Sequence, residues 1–197
     1  MRELKILMYL NGAGGAPKVI GCTKDAYVCT CCGTKTFSKV VDTTIHQEVL
    51  LDAILNIAIR LQEIHCKGIS HNHLIEENIM YDEETGTFNI NDFGSNCAMG
   101  ERLNFRATTE KLDEADWMAP EAKRGEPVSP RSDVYSLGVL LGRSIFGFNS
   151  PNHLAATLAG KSICEDPDDR PSLEEFIDAL QFLQDVDNKL FLNKATE

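Results

Sequence analysis

The sequence has no excess of positive charge, no long apolar run and no glycosylation sequon, and each absence removes a class of protein. Its 197 residues carry 19 lysines and arginines against 30 aspartates and glutamates, a net charge of −11. A nucleic-acid backbone or an anionic membrane surface demands a basic patch, so neither is expected as the main partner; a basic protein surface remains compatible. The N-terminal apolar run, Ile6 to Leu10, is too short for a signal-peptide core, and no stretch approaches the roughly 18 apolar residues of a membrane span. With no Asn-x-Ser/Thr triplet and an odd count of seven cysteines, reduced thiols in a cytoplasmic or nuclear compartment are the simplest expectation. Three of the cysteines cluster at Cys29, Cys31 and Cys32, but no second Cys-x-x-Cys or His pair stands at finger spacing. A cysteine-rich apolar strand is therefore preferred to half of a zinc site.

What is present is a globular composition. With 43% hydrophobic and 25% charged residues, disorder is excluded as the main state, and the length suits one domain or a domain with an appendage. Residues 3–10 place Leu4, Leu7 and Met8 on one helical face, and the Gly/Pro-rich stretch Asn11 to Pro17 stops that helix. Lys18 to Gly21 and Tyr27 to Cys32 read as a hairpin around Thr23-Lys24-Asp25. Ile45 to Lys67 reads as the longest helix, with Val49, Leu50, Ile54, Ile57, Ala58, Leu61 and Ile64 inward and Gly68 at its end. Two short strands, Ile79 to Tyr81 and Thr87 to Ile90, flank a turn. A polar loop follows from Ser95 to Asp116, then an apolar helix from Asp133 to Gly147. Ser172-x-x-Glu175 opens the last strong helix with a capping box.

The middle of the chain is more specific. His71-Asn72-His73-Leu74-Ile75-Glu76-Glu77-Asn78 is followed by Asp92-Phe93-Gly94, Ala119-Pro120-Glu121, Ser132-Asp133-Val134-Tyr135-Ser136-Leu137-Gly138-Val139 and Asp169-Arg170-Pro171-Ser172. One tripeptide is weak, but five segments in this order and spacing resemble the eukaryotic protein-kinase domain over roughly residues 3–183. The resemblance implies an α+β fold with a mostly helical C-lobe and a remnant N-lobe, the end of its helix C plus a two-stranded hairpin. Residues 1–33 are then N-lobe remnant and hinge, 34–190 the C-lobe, and 191–197 a tail. ATP and magnesium are the cofactors of such domains, and hard cations take oxygen ligands. Asn78 and Asp92 stand where the family holds its metal; Thr30 and Cys32 would form the hinge and Met80 the adenine floor. Asp133 would accept backbone N–H bonds from the catalytic loop, Glu121 and Arg170 would form a buried ion pair, and Leu7, Val19, His71 and Phe93 would stack as a spine.

The departures from the pattern bear on function. The family's proton acceptor, an Asp, is replaced by His73, and the Lys that holds the transferred phosphate is replaced by Ile75, which offers no charge to a developing anion. Asn72 replaces the Arg that would read a phosphorylated activation loop, leaving Thr108 and Thr109 without an obvious local cation. Glu3 sits where helix C presents its partner for a strand-borne Lys, yet these 197 residues contain neither that Lys nor a phosphate-covering glycine loop; Gly12 to Ala16 follows a helix and precedes a strand, the wrong order. The expectation is a catalytically inactive pseudokinase with weak or absent nucleotide binding. It would act as a scaffold or decoy toward a protein partner: an intact kinase, a kinase N-lobe or a kinase substrate. The alternative is a fragment of an ATP-dependent protein kinase whose N-terminal strands are missing. A relative of small-molecule kinases shares the Asp/Asn logic but accounts poorly for Ala119-Pro120-Glu121 and Asp169-Arg170-Pro171.

Overall fold

Glycine and proline punctuation divides the chain where the elements break. The computed structural model describes residues 2–43, 46–103, 115–146, 148 and 152–194; Thr108 and Thr109 lie outside them. Helix α1, Arg2–Leu10, buries Leu4, Leu7 and Leu10. The expected inward Met8 is instead exposed, because the buried stripe continues from Leu7 to Leu10. A 3-10 turn at Ala13–Gly15 leads to β1 (Val19–Cys22) and β2 (Tyr27–Cys29), an isolated antiparallel pair. Ile20 is 70% and Val28 63% exposed on it, so this ribbon presents two apolar side chains to solvent.

The helical body follows. Strand β3 (Lys35–Thr36), α2 (Phe37–Thr43) and α3 (Gln47–His65) come first. Then come β4 (Ile69–Ser70), β5 (Ile79–Asp82), β6 (Thr87–Ile90), β7 (Cys97–Ala98) and α4 (Pro120–Lys123). Helices α5 (Pro130–Phe146), α6 (His153–Ser162) and α7 (Leu173–Lys194) complete it. The sheets are β3-β5-β6 and β4-β7, so the polar loop expected from Ser95 contains a short strand paired with β4. Helix α3 is packed by α5, α7, β6 and the 3-10 turn, which is why its buried surface includes Leu51, Ala53 and Leu55 beyond the expected stripe, while Val49 faces solvent. At 22 residues α7 exceeds the 19 of α3, correcting the expected ranking. Its start follows the expected capping box: Ser172 N–H donates to Glu175 Oε2 at 2.7 Å and Glu175 N–H to Ser172 Oγ at 3.1 Å. Helix α6 follows α5, and Asn152 caps it, accepting from the Leu154 and Ala155 N–H groups. It lies so close to α5 that a Cβ at Gly138 would meet Ser162 Cβ at 2.4 Å.

Two interactions fasten the pieces. Asn89, on β6, donates from Nδ2 to the Cys32 carbonyl at 2.7 Å, and a Cβ at Gly15 (φ +72°) would lie 1.9 Å from Asn89 Oδ1. Lower down, Arg170 donates from two guanidinium nitrogens to the two Glu121 oxygens at 2.8 Å each, with both side chains buried. Ser132 Oγ adds a bond to Glu121 Oε1 at 2.7 Å, and Tyr135 lies under the guanidinium at 5.1 Å. Removing one partner of such a pair strands the other charge. Arg170→Ala should therefore lower stability by about 3–5 kcal/mol in urea unfolding, and Glu121→Leu combined with Arg170→Met should recover part of that loss. A loss within 1 kcal/mol for Arg170→Ala, about the value of an exposed pair, would show that the pair is not structural.

Candidate functional site

The site is built on a turn between β4 and β5. Asp133, in the first turn of α5, is fully buried, and it accepts the His71 N–H at Oδ2 (2.8 Å) and the Asn72 N–H at Oδ1 (2.7 Å). His65 Nε2 donates to the same Oδ2 at 2.8 Å. Burial pushes the Asp133 carboxyl up, and the hydrogen bond from His65, with the Asn72 N–H, outweighs it, so its pKa lies below the ordinary 3.8. These bonds hold Asn72 at φ +61°, a left-handed conformation that asparagine tolerates.

His71 relays this order inward. Its ring meets Phe93 edge-on at 4.9 Å, Nε2 donates to the Asn91 carbonyl at 3.0 Å, and Nδ1 accepts the His73 N–H at 3.3 Å. Burial drives its pKa below 6.5 against the pull of Asp133 and the Asn91 carbonyl, so a neutral ring with one donor and one acceptor nitrogen fits both bonds. Leu7 and Phe93 belong to one buried cluster, with Val19 packed against it.

The expected metal and catalytic residues converge on the solvent side. Asp92, at φ +60°, has Oδ1 capped by the Gly94 N–H at 3.2 Å, and its Oδ2 accepts from His73 Nδ1 at 3.1 Å. Asn78 Nδ2 donates to the His73 carbonyl at 3.0 Å and lies 3.1 Å from His73 Nδ1 and 3.4 Å from Asp92 Oδ2. The Asn91 N–H donates to the Asn78 carbonyl at 2.8 Å, tying the two loops together. Ile75 is half-buried in extended backbone ahead of the 3-10 turn Glu76–Asn78. A carboxylate and a carboxamide side by side suit a hard divalent cation, while position 75 holds no cation and position 73, where the resemblance implies a proton acceptor, holds an imidazole.

The residues expected to face a nucleotide separate into two groups. Cys32 and Met80 are joined through Asn89, which donates to the Cys32 carbonyl and is the cross-strand partner of Met80. Thr30 instead belongs to the ribbon: its N–H donates to the Lys18 carbonyl and its Oγ1 accepts the Lys18 N–H, both at 2.9 Å. Burial pushes the Cys32 thiol up to about 11, reinforced by Cys31, which removes thiolate character near neutral pH. Glu3 does not stand free: Tyr27 Oη donates to its Oε2 at 2.9 Å, and burial first, then this bond and the Glu3 charge, raise the phenol to about 12.

Three participants escaped the motif reading. His65 and Tyr27 act through partners far away in the chain, and Trp117 stacks on His73 with ring centroids 4.8 Å apart; only the histidine at a helix C-terminus and the single tryptophan were visible as residue types. The lowered carboxylates fix the acid response. Burial pushes the Glu121 carboxyl up, but the bonds from Arg170 and Ser132 hold it below 4.5. A carboxyl whose pKa is lower in the folded than in the unfolded chain takes up protons on unfolding, so the stability contributed by Glu121 and Asp133 is present above about pH 4.5 and is lost as pH falls through their folded values. Urea midpoints measured from pH 6 to pH 3 should fall less steeply for Glu121→Gln than for the unaltered chain; equal slopes would refute the assignment.

A family model described as "Protein kinase domain" matches residues 18–151, more than half of the chain. The serine/threonine-protein kinase STE20 of Saccharomyces cerevisiae is 27% identical over 143 residues, 59% of this chain and 15% of its own length. Mitogen-activated protein kinase kinase kinase 13-A of Xenopus laevis is 32% identical over 106 residues, 52% of this chain and 10% of that protein. The serine/threonine-protein kinase PknB of Mycobacterium leprae is 33% identical over 108 residues, 52% of this chain and 17% of that one. The chain thus spans less than a fifth of each relative's length.

Proposed function

The chain belongs to the protein kinase domain family, and from that premise we propose that it is a pseudokinase: a kinase-like body that binds a protein partner in signalling and does not transfer phosphate. One observation carries the reading. The position of the proton acceptor holds His73, and its Nδ1 is bonded to Asp92 Oδ2 at 3.1 Å, while Ile75 supplies no cation for the transferred group. Phosphoryl transfer is mostly positioning and charge neutralisation. Magnesium bound with nucleotide would be held by Asn78 and Asp92 and would neutralise the polyphosphate. The aligned hydroxyl, its acceptor oxygen and the phosphate-holding cation have no counterpart at positions 73 and 75.

Glu3 supports the same reading, because its carboxylate is engaged by the Tyr27 phenol. Nucleotide binding is accordingly weak. Partner binding would use the β1–β2 ribbon, where Ile20 and Val28 are exposed, and a kinase, a kinase N-lobe or a kinase substrate is the class of partner. Seven cysteines, none of them in a disulfide, suit a reducing cytoplasmic or nuclear compartment; among the described residues no helix is long and apolar enough to cross a membrane.

One observation favours a second reading, a fragment of an active serine/threonine kinase: Asn78 and Asp92 are both retained and stand 3.4 Å apart. Labelled ATP with magnesium separates the two. The purified chain, offered basic and acidic protein substrates, should incorporate no phosphate above background, whereas incorporation abolished by Asp92→Ala would overturn the pseudokinase reading.

A further inference from the structure

His73 removes an acceptor oxygen from the site, and it also adds a nitrogen ligand. We propose that His73 Nδ1, Asp92 Oδ2 and the Asn78 amide form a nucleotide-independent site for a borderline divalent metal ion of the zinc and cobalt class. The inference deepens the pseudokinase reading at the same residues, and its test reads metal binding alone.

The geometry is that of one face of a coordination polyhedron. His73 Nδ1, Asp92 Oδ2 and the Asn78 amide nitrogen stand 3.1, 3.1 and 3.4 Å from one another. Ligands about 2.1 Å from a shared ion are separated by roughly 3.0 Å when octahedral and roughly 3.4 Å when tetrahedral, so the spacing suits a single ion once the Asn78 oxygen takes the place of its nitrogen. At the Asn78 corner the terminal amide torsion is broad and roughly two-fold, and a half-turn exchanges Nδ2 for Oδ1, giving up the bond to the His73 carbonyl. At the His73 corner the ion takes the place of the Nδ1 proton now shared with Asp92. Among the described residues no group of three His, Cys, Asp or Glu side chains is gathered for a metal; here the third ligand is a carboxamide.

The surroundings orient the donors. Trp117 stacks on the His73 ring, and the His73 N–H is held by His71 Nδ1. The Gly94 N–H occupies Asp92 Oδ1 and leaves Oδ2 aimed at the triangle. The outer side is open to water ligands, since the His73 and Asp92 side chains are 25% and 42% exposed.

Ligand chemistry selects the ion. Magnesium dehydrates reluctantly and is held by carboxylates together with substrate phosphates. This triangle has one carboxylate, one amide and one imidazole, and imidazole suits zinc, cobalt, nickel and copper. An Asp at position 73 would restore the oxygen-only set.

The test is calorimetric titration of the metal-stripped chain with zinc chloride and with magnesium chloride, without nucleotide, and an optical titration with cobalt(II). The expected result is one saturable zinc site that binds about tenfold or more tighter than magnesium. Its cobalt form should lack a thiolate charge-transfer band in the near ultraviolet. His73→Ala and Asp92→Asn should each weaken zinc at least about tenfold with unchanged circular dichroism, and Cys31→Ser should not. His73→Asp should narrow the zinc-over-magnesium preference. Zinc binding that survives His73→Ala, that follows the thiols instead, or that is absent up to millimolar concentration overturns the proposal. None of these outcomes reads phosphate transfer, so the pseudokinase assignment stands or falls separately.

Discussion

The Asp133 carboxylate is the constraint from which the site geometry descends. A charged group with no solvent contact is tolerated only when its lone pairs are occupied, and here two consecutive backbone N–H groups and one imidazole occupy them. Because those N–H groups belong to His71 and Asn72, satisfying the carboxylate also sets the turn between β4 and β5 and the left-handed backbone of Asn72. His71 then has one ring nitrogen for Asn91 and one for His73, so the loop carrying Asp92 and the loop carrying Asn78 are registered against each other through a single neutral ring. The chemistry at the surface is thus the end of a chain of bonds that starts in the core.

This arrangement separates framework from chemistry. Asp133, Glu121 and Arg170 are buried groups whose loss leaves an uncompensated charge. Positions 73 and 75 are only partly buried, and a histidine and an isoleucine fit there without disturbing any buried bond. A chain can keep the fold while its reactive groups change, because the energetic penalties fall on different residues.

Legibility in the sequence follows the range of the forces. Helices α1, α3 and α5 announce themselves because their apolar residues recur every turn, and α7 because Ser172 and Glu175 cap it. Strands β3, β4 and β7 have two residues each and exist only through distant partners, so no local pattern marks them. Helix α2 begins at the buried Phe37 and α6 at the Asn152 cap, both short segments with weak stripes. Within the site, the ordered motifs located His71, His73, Asn78, Asp92 and Asp133. They could not locate His65, which is 68 positions from Asp133, or Tyr27, which is 24 from Glu3. Those contacts depend on how helices and ribbon pack, and nothing in the neighbouring residues encodes them.

Asn89 has a reach beyond the bond it makes. Its amide clasps the Cys32 carbonyl while its oxygen fills the volume that a side chain at position 15 would need. Glycine at 15 and asparagine at 89 are therefore a single unit of inheritance. A methyl group at 15 becomes admissible only if residue 89 first shrinks, and a shrunken residue 89 releases the Cys32 carbonyl. Among homologous chains these two positions, 74 residues apart in sequence, should drift together or not at all.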